Sequence, residues 1–199
     1  TKSKRIGFHA PDIYKNNLIF DPTSRDAKIS NLSNEYFLDL MKHIKNFWEE
    51  NKLDYRVNCV TSFSSYTEGK HDSNRKNEYN KLYKFINEYE NEFPMIHIIP
   101  QSLPALAWYL GGQRYVNSFA HPKDILKFCE LYSHSICLDI SHLFMACNFF
   151  NENFNYWSKK LLPFAKHFHL AGASGIDDEG ISLSKCPEMI YFLKELLKE

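Results

Sequence analysis

The chain has 199 residues, with 24 Lys+Arg against 24 Asp+Glu, 44% hydrophobic and 16% aromatic residues. That length is about one domain's worth and carries enough apolar material for a true core. The balanced charge argues against nucleic acid as the main partner, because phosphate backbones are held by clustered surplus positive charge. No apolar stretch approaches the roughly 20 residues of a membrane helix, so no membrane partner is expected. The start TKSKRIGFHAPD lacks the apolar core of a signal peptide, which leads us to expect a cytoplasmic protein. Five cysteines without CxxC spacing, four of them in or beside apolar runs, read as buried reduced thiols.

In chain order, short apolar runs alternate with amphipathic segments. Strands are expected at 5–10 (RIGFHA), 55–61 (YRVNCVT), 95–100 (MIHIIP), 135–140 (SICLDI) and 168–171 (FHLA). Such runs, apolar on both faces, suit parallel strands covered by helices. The first helix is expected at 34–51 after a cap-like Ser33, with Phe37, Leu40, Met41, Ile44 and Phe47 or Trp48 on one face. The next runs over 76–91 with Tyr79, Leu82, Tyr83, Ile86 and Tyr89 on a face. Helices at 122–132 and 187–198 each open with proline, tolerated in a first turn, and another is expected at 155–166. The alternation predicts an α/β fold with a parallel sheet and right-handed crossovers.

In such folds the working residues stand at the carboxyl ends of strands. His9, Gln101, Asp139, His142 and His169 all fall there, with Asp177, Asp178 and Glu179 in the loop after the fifth strand. Three imidazoles and a carboxylate suit zinc, manganese or a similar divalent metal. Any one of these histidines taken alone is more often a hydrogen-bonded loop residue; their shared rim brings the metal reading level with that one. The segment Trp108–Tyr115 (WYLGGQRY) offers a second reading, as substrate binding by Gln101, Trp108, Gln113 and Arg114 or as an ordinary turn. Its two glycines allow close backbone approach, and the Arg fork matches a phosphate or carboxylate. No GxGxxG, P-loop or GxSxG pattern is present.

Three segments resemble the xylose isomerase-like and endonuclease IV-like superfamily of TIM barrels. HAPDIYKNNLIFDPTSRDAKISNLSNEYFLDLM is similar to its His-Ala-Pro-Tyr strand and following helix. CLDISHLFMACN resembles its Cys-Leu-Asp-Thr-x-His-Leu-Phe segment, and FHLAGASGIDDEG its His-Leu-x-Asp strand and loop. The resemblance implies a single barrel domain over 1–199 and metal ligands at His9, Asp139, His142 and His169. It implies sugar or sugar-phosphate isomerase or epimerase activity, with Asp178 or Glu179 as a candidate catalytic base. A barrel needs eight strands over about 250 residues, so five strands and an initial Thr1 lead us to expect an incomplete barrel from a longer chain. The chain departs from the pattern at Gln101, where the family has Glu, and at Gly172, where it has Asp. It also lacks the His that often ends the second strand, here VNCVTSF. Those departures keep open a catalytically inactive barrel that binds a sugar or supports a larger protein. An apurinic-site endonuclease is allowed by the motifs but disfavoured by zero net charge.

Overall fold

The computed structural model describes residues 5–63, 66–68, 76–107 and 115–197. They fall into two compact units, Thr1–Ser65 with Asn74–Pro100, and Tyr66–Ser73 with Gln101–Glu199.

In the first unit β1 (Gly7–His9) is followed by a small antiparallel pair, β2 (Ile13–Tyr14) and β3 (Leu18–Ile19). Helix α1 (Ala27–Glu50) leads to β4 (Val57–Thr61), which pairs parallel with β1. The second unit contributes the next strand in sequence, β5 (Tyr66–Glu68). Helix α2 (Lys76–Glu92) then leads to β6 (Ile96–Pro100), parallel to β4. The result is a three-stranded parallel sheet in the order β1-β4-β6. Helix α1 starts seven residues before the expected Asn34. Asp26 is its true cap, accepting from the Lys28 N–H at 2.8 Å. Ser33 is instead buried inside the helix, and its hydroxyl accepts the Asp21 N–H at 3.0 Å. The apolar face of α1 falls where its periodicity put it, with Phe37, Met41 and Ile44 buried.

In the second unit β5 pairs antiparallel with β7 (Tyr115–Asn117), ahead of α3 (Pro122–Tyr132). Strand β8 (Ile136–Asp139) runs straight into α4 (Ile140–Phe150), a helix absent from the sequence expectations. Its side chains are apolar nearly all round and seven of its residues are buried, so it carries little amphipathic period to read. Helix α5 (Phe154–Leu161) ends five residues before the expected Lys166. Pro163 cannot continue the hydrogen-bond ladder, and a 3-10 turn over Leu162–Phe164 follows. The strand expected at 168–171 therefore begins earlier, as β9 (Ala165–His169), parallel to β8. An antiparallel pair, β10 (Gly172–Ser174) and β11 (Asp178–Ile181), precedes α6 (Pro187–Leu196).

The expected α/β architecture with parallel strands is present, but the strands do not lie in one sheet: β8 and β9 form their own pair. Gln101, directly after β6, adds an isolated parallel bridge to Cys137 of β8. No closed barrel is formed among the described residues. All five cysteines are buried and unpaired. Among the described residues no helix is long and apolar enough to cross a membrane.

Candidate functional site

Asp139 ends β8 and at the same time caps α4, so one residue both closes a strand and anchors a helix start. Its Oδ1 accepts from the Ser141 N–H at 3.1 Å, the Ser141 hydroxyl at 2.6 Å and the His142 N–H at 3.1 Å. Its Oδ2 accepts from the Gln101 amide at 2.9 Å and faces Nδ1 of His169 at 3.3 Å and of His142 at 3.5 Å. The Asp139 N–H donates to the Ser102 hydroxyl at 3.0 Å, which ties the loop after β6 to the end of β8. Burial pushes the Asp139 carboxyl up. The His169 hydrogen bond, the His142 charge, Ser141 and the His142 N–H together outweigh it and hold the group down at about 2.

These contacts fix the state of His142. Its Nδ1 lies 2.9 Å from the Ser102 carbonyl oxygen, which only accepts, so Nδ1 carries a proton, and in the neutral ring Nε2 is the basic nitrogen. The 3.3 Å approach of the Gln101 amide nitrogen to the same Nδ1 then sets two donors side by side. Gln101 is accordingly held by Asp139. At His169 the carboxylate plays the orienting part, and the side chain is 29% exposed, enough for a solute to reach.

Four of the residues named from the sequence, Gln101, Asp139, His142 and His169, are thus brought together in the second unit. His9 belongs to the first unit, at the carboxyl end of β1, where Nδ1 donates to the Ala10 carbonyl at 2.7 Å. Asp178 and Glu179 stand on β11, paired with Ser174 and Ala173, and their side chains lie outside what the structure describes. Trp108, Gln113 and Arg114 also lie outside the described residues. A cation at Asp139 finds both oxygens engaged by protein donors and would have to displace the Gln101 amide. Where the resembled family has a second carboxylate that an ion would bridge, Gln101 supplies N–H donors of its own.

Gly172 has a local reason. A Cβ there would lie 2.8 Å from the Cys186 sulfur and collide with the Ile181 carbonyl oxygen. The close β10–β11 pairing and the Cys186 contact therefore leave no room for the Asp of the resembled pattern.

Sequence reasoning missed Cys137 and His167. Cys137 and Asp139 alternate on β8, His167 and His169 on β9, and the register sets Cys137 beside His167 and Asp139 beside His169. All four therefore share one face. The Cys137 sulfur and one ring nitrogen each of His167 and His169 lie within 4.8 Å of one another. The spacings C-x-D and H-x-H, both inside strands, were the available signal.

No protein-family model and no curated protein sequence matches the chain. Among solved structures, it superposes on a D-tagatose 3-epimerase-like protein with TM-score 0.62 and 20% identity over 98% of its length. The chain has a xylose isomerase-like fold. A xylose isomerase domain protein from Planctomyces limnophilus aligns over 89% of the chain with TM-score 0.52 and 9% identity. The chain spans 68% and 58% of the lengths of these two structures.

Proposed function

We propose that the chain acts on a small sugar or sugar phosphate, as an isomerase or epimerase. The observation that carries this reading is the pair of imidazoles, His142 and His169, on either side of one ionised carboxylate at strand ends of a xylose isomerase-like fold. Isomerisation or epimerisation beside a carbonyl requires a proton to leave carbon and return. His142, with Nδ1 protonated toward Ser102, presents Nε2 as a base; His169 is oriented by Asp139 and reachable from solvent. Asp139 stabilises whichever imidazole gains the proton, and Gln101 and Ser141 hold that carboxylate in place. A divalent cation, were one held at His142 and His169, would supply polarisation of the substrate carbonyl.

The test is solvent isotope exchange. The intact protein, with and without added Zn²⁺ or Mn²⁺, is incubated in D₂O with hexoses, pentoses and their phosphates, and substrate protons are followed by NMR. Deuterium should enter at the carbon next to the carbonyl for at least one sugar, and His142→Gln should slow entry at least about a hundredfold. No entry with any sugar, or entry unchanged in His142→Gln, overturns the proposal. The Gln101 amide on Asp139 favours one second reading, a non-catalytic sugar-binding barrel. Saturable sugar binding without exchange would establish it.

A further inference from the structure

The geometry points to a zinc-type cation site formed by Cys137, His167 and His169, one layer below the Asp139 carboxylate on the same sheet face. It does not rest on the proposed sugar chemistry. The three donor atoms already lie within 4.8 Å of one another. Zn–S and Zn–N bonds of about 2.3 and 2.0–2.1 Å require them to close to roughly 3.5 Å, within reach of side-chain rotation. The frame that holds them is two hydrogen-bonded strands in fixed register, so the ligands need not be gathered from mobile loops.

The donor types select the ion. One thiolate and two imidazoles prefer zinc or cobalt, while magnesium and manganese favour oxygen ligands. Three protein ligands leave the fourth tetrahedral position for water or substrate, as in zinc centres that do chemistry. The position of Asp139 strengthens the assignment. With Asp139 Oδ2 at 3.3 Å from Nδ1 of His169, the carboxylate orients that ring while Nε2 serves the cation, the usual outer partner of a metal-bound imidazole. Cys137 is fully buried and His169 is 29% exposed on its side chain, so the ion enters from the His169 side. The rings of His167 and His169 meet edge to face at 5.3 Å, which keeps them from stacking over the site. With His169 as ligand, proton transfer falls to His142.

Cobalt(II) is the probe. The chelator-stripped intact protein should bind one equivalent and develop the intense near-ultraviolet thiolate-to-cobalt charge-transfer absorption, which zinc then bleaches. His167→Gln should weaken cobalt binding at least about tenfold. Cys137→Ser should abolish the charge-transfer absorption, and Cys147→Ser, another buried thiol, should retain it. Should Cys137→Ser fail to fold, the wild-type spectrum alone decides whether a thiolate is bound. Cobalt bound without that absorption, no binding at tens of micromolar, or unchanged affinity in His167→Gln overturns the site. Cobalt binding with no isotope exchange sinks the sugar reading alone; exchange with no cobalt binding sinks this one alone.

Discussion

The interior of the first unit is a block of aromatic rings, Phe20, Phe37, Phe63, Phe85 and Tyr89, with centroids 4.7–6.2 Å apart. The second unit instead buries Gln101, Ser102, Asp139, Ser141 and His142 together at strand ends, each polar group answered by another. Among the described residues, the buried side-chain polar atoms with no partner are Asp12 Oδ1, Tyr14 OH and Thr61 Oγ1, all in the first unit. Burying a polar atom costs free energy unless it is hydrogen-bonded. The first unit, despite local clusters such as Asp21 with Ser33, is therefore held chiefly by shape and area, and the second also by a hydrogen-bond network that fixes where its side chains point.

The sharpest way to break that comparison is Phe37→Ala. The ring is fully buried and lies 5.0 Å from both Phe85 and Tyr89. Its removal should cost about 3–5 kcal/mol in urea unfolding, since the surrounding rings cannot collapse fully into the gap. A loss below about 1 kcal/mol would show that packing does not dominate the first unit. In the second unit Gly172→Ala should cost about 1–3 kcal/mol by overpacking against Cys186 and Ile181. Gly172→Asp, which restores the resembled pattern, should be worse rather than better. A neutral or stabilising result would mean that β10 and β11 separate easily and that Gly172 was not imposed by packing.

Much of this fold was legible because its local signals agreed. The expected 57–61 and 96–100 portions of two strands, and the helices α2 and α3, lie where β-branched runs, amphipathic period and N-terminal proline put them. The failures have particular causes. Helix α4 hid because it is apolar on every side; the expected cap Ser33 lost to Asp26; Pro163 cut short the helix expected to reach Lys166. That Gln101, Asp139, His142 and His169 lie together was legible because strand-end position is readable from sequence. Cys137 and His167 were not, because their meeting depends on the β8–β9 register, a non-local quantity. Likewise the reason for Gly172, its approach to Cys186 and Ile181, is non-local and leaves no signal in the neighbouring residues.

A smaller effect tests a hydrogen-bonded polar cluster of the first unit. Glu90 accepts from Nδ1 of His97 and the Ile98 N–H, each at 2.8 Å, and pairs with Arg56 at 2.9 Å. Burial pushes its carboxyl up, but the His97 and Ile98 hydrogen bonds and the His97 and Arg56 charges outweigh this and leave it lowered from 4.5. A lowered folded-state value means that the contribution is present above the unfolded value and lost as pH falls through the folded one. Stability should therefore decline with acid below about pH 4.5, and Glu90→Gln should flatten that decline while costing about 1–2 kcal/mol at pH 7. Identical acid limbs for wild type and variant would remove Glu90 from the account.

The smallest effect is the most discriminating between the two interiors. Thr61 is fully buried at the end of β4, and its hydroxyl has no hydrogen-bond partner among the described residues. Thr61→Val keeps the branched shape that suits a strand and exchanges the hydroxyl for a methyl. If the hydroxyl is a cost, the substitution should raise stability by about 0.5–1 kcal/mol, because an unsatisfied buried polar group is removed and nothing is left unpaired. The parallel substitution Ser102→Ala in the second unit should go the other way by a similar or larger amount, since the Asp139 N–H would lose its acceptor. Urea midpoints of the two variants, measured together, carry the comparison in their opposite signs. Equal signs would mean that the first unit's hydroxyl is answered after all, or that the second unit's network contributes nothing to stability.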